Sequence, residues 1–352
     1  MNIVYVSNEG YARHLGVSVC SLFDSNADEE RLEVFILDTG ITRESRGKLT
    51  EIARSFGRTL TFIELKDLEK RFAVRLDTGR FDVSTMGRLF AADLLPAGVR
   101  RVLYLDCDTV VLKPLRRLWE TGLGKAGGAG TGSAGTGSAA AGRKAGPDYV
   151  MAAVQEPTIY EEVKEYLGMK KEEAYFNAGV LLIDLKRWRA EHLTEKVLSY
   201  YAEIAEQCLF NDQDALNGLL KGRIRTLSPR WNFFTNYRYF RYDTLCRMQP
   251  AYRRIPEEVF RKAKRSPAVI HYAGDERPWR AGALNYYGKA YERYLAMTPW
   301  RDTPKEKGKE LYMLLYHGME LVTPVFPFIR AAISKAYVRK CIAARRERQE
   351  KK

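Results

Sequence analysis

The first hundred residues alternate between short apolar runs and helical patterns, and this alternation restricts the possible folds more than any other feature. The runs "NIVYVS", "LEVFILD" and "TLTFIEL" each have the composition of a buried strand. Between them lie two helical segments, the first with apolar residues at Leu15, Val19 and Leu22 and the second closed by Gly57. Strands that alternate with helices build α/β sheets with right-handed crossovers. We therefore predict an α/β fold with buried parallel strands.

A further strand ends on two carboxylates. "STMGRLFAADLLP" predicts a helix that Pro96 stops, and "RRVLYLD" then predicts a strand deep in the sheet, because its residues are so apolar. Asp106 and Asp108 follow the apolar run. Because side chains alternate along a strand, we expect Asp106 and Asp108 to point the same way, about 6–7 Å apart. They would lie at the carboxyl end of a central strand, where open α/β sheets bind ligands.

Two chemistries use this D-x-D spacing. Two aligned carboxylates favour Mg²⁺ or Mn²⁺, which can neutralise the diphosphate of a nucleotide-sugar. Alternatively, "YLDCDTV" fits the D-x-D-x-T pattern of haloacid-dehalogenase-type phosphatases, in which the first Asp is a nucleophile and the second a general acid. An ordinary turn with two acids is a third interpretation. The phosphatase pattern belongs near the N-terminus, whereas here three strands precede it, so the remaining motifs must discriminate.

Composition and charge narrow the class of protein further. Hydrophobic residues make up 45% of the 352 residues, which is enough for a sizeable core. The 58 basic residues exceed the 44 acidic ones by 14, and nine Lys/Arg against two Glu in residues 328–352 supply +7 of this excess. The excess indicates an anionic partner. Because the rest of the chain is only mildly basic, we expect no nucleic-acid partner.

Cysteine usage and low-complexity sequence add two expectations. The five cysteines are scattered without a C-x-x-C pair, which indicates a reducing compartment and argues against a zinc ribbon or a disulfide framework. We expect no signal peptide and no spanning helix, since no apolar run approaches roughly 18 residues. Residues 124–147 are dominated by Gly, Ala, Ser and Thr, so we expect a flexible surface insertion before the strand in "YVMAAVQEP".

The motifs that accompany D-x-D favour the nucleotide-sugar chemistry. Along residues 1–280 six motifs occur in order: "IVYVSNEGYARHL", "GRLFAADLLP", "RVLYLDCDTVVL", "YFNAGVLLIDLKRW", "FNDQDALNGLLKG" and "AVIHYAGDERPW". This series resembles the retaining family 8 glycosyltransferases, which include glycogenin and bacterial lipooligosaccharide galactosyltransferases. The resemblance implies the GT-A fold, a Rossmann-like nucleotide-binding sheet with flanking helices. It also implies transfer of a hexose from a UDP-sugar, with Mn²⁺ or Mg²⁺ as cofactor.

The loop after the first strand is the expected uridine site. It runs through "SNEGY" into the first helix, which is a natural place for a nucleotide. Tyr11 can stack on a base, or simply pack at the helix start, and Asn8 can hydrogen-bond to a uracil edge. By resemblance Val6, Gly10 and Cys107 contact the nucleotide-sugar as well. The family usually has Asp at the position of Asn8, and the amide oxygen of Asn8 can still accept a hydrogen bond from the base N–H.

Two further motifs are expected to contact the donor sugar and diphosphate. Arg88 reaches by resemblance into the site, where a planar guanidinium suits oxygen-rich anions; a surface salt bridge is the alternative. Asn177, Ala178 and Gly179 open a strand. Asn177 offers a donor and an acceptor to sugar hydroxyls, and Gly179 lets backbone approach a ligand closely.

Three catalytic residues are expected: Arg88, and the pair Asp212 and Gln213 in "FNDQDALNGLLKG". By resemblance Asp212 and Gln213 lie beneath the anomeric carbon of the donor sugar, although Asp212 or Asn211 could instead cap the helix that begins there. Retention requires a nucleophile on the opposite face or a front-side route guided by the leaving phosphate. Since Gln213 is a poor nucleophile, we favour the front-side route. Glu156 is a candidate for acceptor contact, with Gln155 as its alternative.

The metal site is expected to combine the D-x-D motif with a distant histidine. "VIHYAGDERPW" matches the family pattern H-Y-x-G-x-x-K-P-W, which makes His271 the third ligand beside Asp106 and Asp108. Asp106 is also an expected donor contact. The family's Lys is Arg277 here, a cation that can still hold the diphosphate but differs in reach. Gly274 is expected to bring backbone N–H groups to the phosphate.

The C-terminal segment has an imperfect amphipathic pattern. Apolar residues recur among arginines and lysines, at Phe326, Ile329, Ile333, Tyr337 and Cys341. Such a helix can lie on an anionic bilayer, and a helix docked on the body or left in solvent is the alternative. The resemblance to enzymes that elongate lipid-linked saccharides points the same way. We expect a cytoplasmic protein, peripherally associated with the inner face of the membrane.

Together these features predict a catalytic domain over residues 1–300 and a basic helical appendage over residues 301–352. The expected activity is retaining hexosyl transfer from a UDP-hexose to a saccharide or lipid-linked saccharide, in the synthesis of lipopolysaccharide or another cell-surface glycan. Two alternatives stay open at this point. They are the phosphatase and a non-catalytic nucleotide-sugar-binding protein.

Overall fold

A mixed seven-stranded sheet forms the centre of the molecule in the computed structural model, which describes residues 1–73, 82–125 and 148–350. Within these residues the strands are β1 Asn2–Ser7, β2 Glu33–Asp38, β3 Leu60–Glu64, β4 Arg101–Leu105, β5 Thr109–Val111, β6 Gly124–Lys125, β7 Asp148–Tyr149, β8 Met151–Gln155, β9 Phe176–Asp184, β10 Ile224–Leu227, β11 Phe233–Phe234 and β12 Val269–His271. The order in the central sheet is β10-β8-β9-β4-β1-β2-β3.

Helices cover both faces of this sheet. Within the described residues the α-helices are α1 Ala12–Ser25, α2 Arg43–Ser55, α3 Ala91–Leu94, α4 Arg116–Trp119, α5 Glu161–Tyr166, α6 Leu185–Ala190, α7 Leu193–Ile204, α8 Asp212–Leu219, α9 Tyr242–Met248, α10 Glu257–Arg265, α11 Gly288–Leu295, α12 Glu310–Val322 and α13 Pro327–Glu350. Side chains alternate along β1, so Ile3 and Tyr5 join one core with α1 and α2. Val4 and Val6 join the other core, with α7 and α8.

The predicted alternation of strands and helices is confirmed. β1 pairs in parallel with β2 and β4, and β2 pairs in parallel with β3. β4 is the central strand of the seven, as its apolar sequence predicted. The sheet is nevertheless mixed, because β9 runs antiparallel to both β4 and β8. Antiparallel and parallel central strands are equally apolar, so the direction of β9 could not be derived from its composition.

The predicted helix before β4 is wound more tightly than expected. Residues Val83–Phe90 form a 3₁₀-helix, and only the last turn, α3, is α-helical. Gly87 lies against β1 at this point, where a Cβ would be 2.7 Å from a methyl group of Val6. The segment therefore packs directly on the sheet, and it carries Arg88 to the carboxyl end of β4.

A small second sheet positions the histidine. Its order is β11-β12-β5, and β12 pairs antiparallel with β5, so that His271 lies opposite Thr109. Because β5 follows directly after the D-x-D motif, this pairing places a residue from far along the chain beside Asp108.

Most of the predicted insertion, residues 126–147, lies outside the described residues. The residues on either side pair as an antiparallel ladder, Gly124 with Tyr149 and Lys125 with Asp148. The strand expected after the insertion is confirmed as β8.

The predicted C-terminal helices are present and return to the body of the protein. The Tyr312 hydroxyl donates to the Asp275 carboxylate at 3.0 Å, and Arg339 on α13 forms an ion pair with Glu162 at 2.8 Å. Further along α13, Arg345 donates to the carbonyl of Cys208. Across the described part of the chain, no helix combines the length and apolarity needed to cross a bilayer. The domain boundary near residue 300 stays a prediction.

Candidate active site

The D-x-D motif is a turn rather than the end of a strand. β4 ends at Leu105 and β5 begins at Thr109, so the prediction that Asp106 and Asp108 align by strand alternation was wrong. The turn is fixed by backbone contacts. The Asp106 amide donates to the Gly179 carbonyl at 2.8 Å, and the Thr109 hydroxyl donates to the Asp106 carbonyl at 2.8 Å. The Cys107 thiol points away from the carboxylates and donates to the carbonyl of Val6.

His271 joins the two carboxylates, as the sequence predicted. Its Nε2 lies 3.2 Å from an Asp108 oxygen and 3.6 Å from an Asp106 oxygen. One ligand atom from each of the three residues falls within a 4.8 Å cluster. Asp108 and His271 are buried and Asp106 is partly exposed, so the cluster faces solvent on one side. Two carboxylate oxygens and an imidazole nitrogen are a fitting donor set for Mn²⁺ or Mg²⁺.

Asn232, which the sequence analysis missed, orients this histidine. Its Oδ1 lies 2.9 Å from His271 Nδ1, and its amide nitrogen donates to Asn177 Oδ1 at 2.8 Å. A proton on Nδ1 leaves Nε2 facing the carboxylates, which is the arrangement that metal-bound histidines commonly show. Asn232 is fully buried. An Asn in the otherwise apolar and aromatic run "WNFF" was the signal that could have identified it.

Neighbouring charges shift the pKa values of Asp108 and His271. Burial by itself would raise the pKa of Asp108, but the adjacent His271 and Arg277 hold the pKa of that carboxyl well below its ordinary value. Burial likewise opposes protonation of His271, and the two aspartates outweigh it and raise the pKa of the imidazole. Asp108 is therefore ionised at neutral pH and available as a metal ligand.

Arg88 links the cluster of Asp106, Asp108 and His271 to the predicted catalytic helix. Its guanidinium lies 3.1 Å from Asp106 and 2.9 Å from Asp212, and also donates to the carbonyl of Ala178. Arg88 is buried, so its alternative interpretation as a surface salt bridge was wrong. These contacts fix the relative positions of β4, β9 and α8.

The start of α8 is locked onto β9 by buried polar groups. Asp214 accepts from the hydroxyls of Tyr175 and Tyr166 at 2.6 and 2.7 Å and from the amide of Phe210 at 2.7 Å. Asn217 exchanges two hydrogen bonds with the backbone of Phe176. Neither Asp214 nor Asn217 was singled out from the sequence, although both lie in the motif that predicted the catalytic helix. Asn211, considered as a cap, makes no side-chain capping bond to α8.

Gln213 and Glu156 meet at Asn177. The Gln213 side-chain oxygen accepts from the Ala178 amide at 2.9 Å and from Asn177 Nδ2 at 3.0 Å. The same Asn177 amide group donates to Glu156 at 2.9 Å. The candidate Glu156 therefore lies among the expected sugar-contacting residues, whereas its alternative Gln155 is buried.

Two acids in this region have perturbed acidity. Burial raises the pKa of Asp212 to about 6, against the opposing effect of Arg88. Burial raises the pKa of Glu156 to about 7, although hydrogen bonds from Asn177 and the nearby His271 lower it in part. Raised carboxyl pKa values in a cleft are typical of functional sites.

Gly179 is required for a reason that differs from the predicted one. A Cβ at this position would lie 2.3 Å from Cε1 of His271 and 2.9 Å from an Asp106 oxygen. The absence of a side chain at Gly179 thus leaves room for the His271 ring and the Asp106 carboxylate, whether or not a ligand also binds there.

The predicted nucleotide loop and the predicted phosphate contact lie side by side. The Arg277 guanidinium donates to the Tyr11 hydroxyl at 2.9 Å and lies 3.8 Å from an Asp108 oxygen. It also donates to the carbonyl of Gly274, which has a φ of +97°, in the region that favours glycine. Asn8 caps the short helix of Glu9–Tyr11 and donates to Asp82 at 2.8 Å. Gly10 lies close to the Asn8 side chain, since a Cβ at Gly10 would be 3.4 Å from Asn8 Oδ1.

The site therefore combines a candidate metal-ligand cluster with an arginine and an aromatic side chain, at the carboxyl end of the central strand β4. The acids would hold the cation, Arg277 would balance phosphate charge, and the polar group around Asn177 would face the sugar. A mixed α/β sheet with a D-x-D turn at this edge defines a GT-A glycosyltransferase.

Comparison with known proteins agrees with this class. The model of glycosyl transferase family 8 matches residues 2–283, so the chain belongs to this family and is a glycosyltransferase. The phosphatase and the non-catalytic alternatives are thereby set aside.

Individual relatives are similar over most of their length. General stress protein A of Bacillus subtilis is 26% identical over 303 residues, which covers 85% of this chain and 94% of that protein. Lipopolysaccharide 1,2-glucosyltransferase of Escherichia coli is 26% identical over 314 residues, which covers 88% of this chain and 82% of that protein. The crystal structure of the galactosyltransferase LgtC with donor and acceptor sugar analogs superposes with a TM-score of 0.66 at 25% identity. The superposition covers 85% of this chain and 96% of LgtC.

Proposed function

We propose that the protein transfers a hexose from a UDP-sugar to a saccharide acceptor with retention of configuration, in the synthesis of lipopolysaccharide or a related cell-surface glycan. The observation that carries this proposal is the convergence of Asp106, Asp108 and His271 beside the Arg88–Asp212 ion pair. Relatives named as lipopolysaccharide glucosyl- and galactosyltransferases support the acceptor class.

The donor set fits a divalent cation, Mn²⁺ or Mg²⁺, held by Asp106, Asp108 and His271. When bound there, such an ion supplies Lewis-acid stabilisation of the departing diphosphate. Arg277 adds a fixed positive charge on the same side, and its bond to Tyr11 aligns that charge with the nucleotide loop. Val6, Asn8, Gly10, Tyr11 and Cys107 surround the uridine in this proposal.

The sugar would lie over β9 and the start of α8. Asn177, Ala178 and Gly179 present polar groups and open backbone, and Gln213 is held rigidly by Ala178 and Asn177. Asp212 is buried and paired with Arg88, so it would have to leave an ion pair before attacking the anomeric carbon. This favours a front-side route in which Gln213 stabilises charge on the sugar. Trapping of a glycosyl adduct on Asp212 would contradict that route.

The experiment that tests the function is product analysis with a panel of UDP-sugars. Purified full-length protein is incubated with each donor and a lipopolysaccharide-core acceptor, with and without Mn²⁺, and the products are identified by mass spectrometry. We expect one hexose added, with anomeric configuration retained, only with metal. Asp108→Asn should lose this turnover by at least about 100-fold while keeping its fold, because a metal ligand is removed. Full activity of that variant in chelator would reject the proposal.

We also propose that the C-terminal helices hold the enzyme on an anionic membrane surface. The outward side of α12 is an apolar stripe at helical spacing, and its exposed members are Leu311, Leu314, Leu315, Leu321 and Val322. Phe326, Phe328, Ile333 and Tyr337 continue the exposed apolar surface onto α13. Among the basic residues on α13, Lys335 and Arg339 approach Glu162, and Arg345 is buried. The proposal therefore rests more on the apolar stripe, and less on the basic residues, than the sequence alone indicated.

A further inference from the structure

A second group of metal-ligating side chains lies where α12 packs against the loop that follows β12. Glu276 belongs to that loop, and His317 and Glu320 are three residues apart on the inward side of α12. One ligand atom from each residue falls within a 4.8 Å cluster. The group is separate from the Asp106, Asp108 and His271 cluster and shares no residue with it.

The two glutamates of the cluster are buried, and its partly exposed histidine is held from both sides. Glu276 and Glu320 are only 1% and 5% exposed. His317 Nδ1 lies 2.8 Å from Glu320, while its Nε2 accepts from the Leu284 amide at 2.9 Å and lies 3.2 Å from the Gly282 carbonyl. Metal binding at Nδ1 requires the proton to move to Nε2, where the Gly282 carbonyl becomes its acceptor and the Leu284 amide gives up its bond to the ring. A backbone carbonyl on the far nitrogen is a common support for metal-bound histidines.

Glu320 supplies an independent sign that the cluster takes a ligand. Among the described residues, its Oε1 is buried without a hydrogen-bond partner, and its other oxygen is the one that contacts His317. No Lys or Arg of the described ranges comes within 4.0 Å of Glu320. A buried carboxylate oxygen without a partner costs free energy, and a cation placed between Glu320, Glu276 and His317 would remove that cost.

We propose that Glu276, His317 and Glu320 form a structural site for a divalent cation of the zinc type. One imidazole nitrogen and two carboxylate oxygens are ligands that Zn²⁺ accepts, with a water completing a tetrahedron. The inference does not depend on the identity of the donor sugar. It requires only the packing of α12 on the loop of Glu276.

The site would fix the donor-binding loop to the C-terminal helices. Glu276 is directly followed by Arg277, whose guanidinium contacts Tyr11 and Asp108. On the other side, His317 and Glu320 lie on the helix whose outward face carries the exposed leucines. A cation between them therefore connects the membrane-facing helix rigidly with the phosphate-contacting arginine.

The test is the zinc stoichiometry of the full-length protein after metal removal, measured by titration against a chromophoric zinc chelator. We expect about two equivalents for the wild type, one at each cluster, and about one equivalent for either Asp108→Asn or His317→Gln. The matched control is His192→Gln. His192 is an exposed histidine that also has a Glu three residues later, Glu195, and its variant should keep two equivalents.

A second variant and a second readout protect the test against misfolding. Glu320→Gln keeps an acceptor for His317 and removes the charge, so it should also bind about one equivalent. In the Asp108→Asn protein, one added equivalent of Zn²⁺ should raise the Tm and give an X-ray absorption spectrum with one imidazole ligand. An unchanged stoichiometry in folded His317→Gln, or a spectrum without imidazole in Asp108→Asn, would overturn the proposal.

Discussion

At the scale of single residues, the site depends on buried amides as much as on charges. Asn232 and Asn177 connect His271 of the candidate metal site to the polar group around Gln213 through hydrogen bonds of 2.8–3.0 Å. The carboxylates and the histidine could be predicted from the sequence because few residue types bind metals. An asparagine has many structural uses, so its role became visible only from its neighbours.

The first prediction concerns Asn232. Asn232→Ala removes the acceptor on His271 Nδ1, so the imidazole loses its fixed orientation. We expect the affinity for Mn²⁺ to fall by about 10–100-fold, with a smaller change in kcat at saturating metal. Metal-dependent activity curves measure both quantities. Asn26→Ala is the control, since Asn26 is equally buried but bonds to Leu22 and Leu115; a matching loss of Mn²⁺ affinity there would contradict the assignment.

The second prediction concerns pH and Glu156. Burial raises the pKa of Glu156 from 4.5 to about 7, so the fold favours the protonated form. This contribution to stability is complete below pH 4.5 and is lost as the pH rises through about 7. Glu156→Gln cannot ionise. We expect the Tm of the variant, relative to that of the wild type, to rise as the pH increases through this range. At higher pH the difference in Tm should stay constant.

Thermal melts at a series of pH values, with saturating metal, measure this difference. Glu51→Gln, a change at an exposed carboxylate on α2, provides the baseline. A difference between wild type and Glu156→Gln that does not vary with pH would show that Glu156 is not buried in its acidic form.

At the scale of elements, the decisive contact is that of β9 with the small sheet. β9 pairs with β4, and Gly179 on β9 lies against the ring of His271 at the end of β12. The sequence predicted each of these strands separately. The close contact between Gly179 and the His271 ring depends on how the two sheets pack together, and no local sequence pattern encodes that packing.

The third prediction tests this approach. Gly179→Ala would place a methyl group 2.3 Å from His271, whose ring is already held by Asn232 and cannot move aside freely. We expect a loss of about 1–3 kcal/mol in the free energy of unfolding, together with weaker metal binding. Denaturant unfolding and Mn²⁺ titration are the measurements.

Gly47→Ala on α2 is the matched control. A Cβ at Gly47 meets no atom within 4 Å, so this change should stabilise the protein by about 0.5–1 kcal/mol. Equal effects of the two substitutions would mean that Gly179 is not in close contact with His271.

At the scale of the whole molecule, the appendage both docks and exposes apolar surface. Met313, His317 and Glu320 face the body, and the leucines of α12 face away from it. The basic character of α13 was predicted from the sequence, whereas the apolar stripe on α12 was not. Helical periodicity reveals an apolar face, and only the fold shows which face is covered.

The fourth prediction concerns membrane binding. Leu314→Gln combined with Leu315→Gln removes two side chains that are each 68% exposed and would enter the lipid interface. We expect binding to vesicles that contain anionic lipid to fall at least about tenfold, because each leucine contributes on the order of 1.5 kcal/mol when buried. Co-sedimentation measures the binding. Met297→Gln is the control, an exposed apolar residue that follows α11; unchanged vesicle binding by the double variant would refute membrane docking through α12.

The sequence by itself determined the alternation of strands and helices, the central position of β4, and most of the chemically distinctive residues of the site. These features follow from local periodicity and from residue types with few uses, and both can be read along the chain. Only the tertiary structure decided the turn at D-x-D, the antiparallel direction of β9, the orientation of His271 by Asn232, and the meeting of Glu276 with His317. Each of these depends on contacts between distant segments, whose distances are set by packing and not by any stretch of sequence.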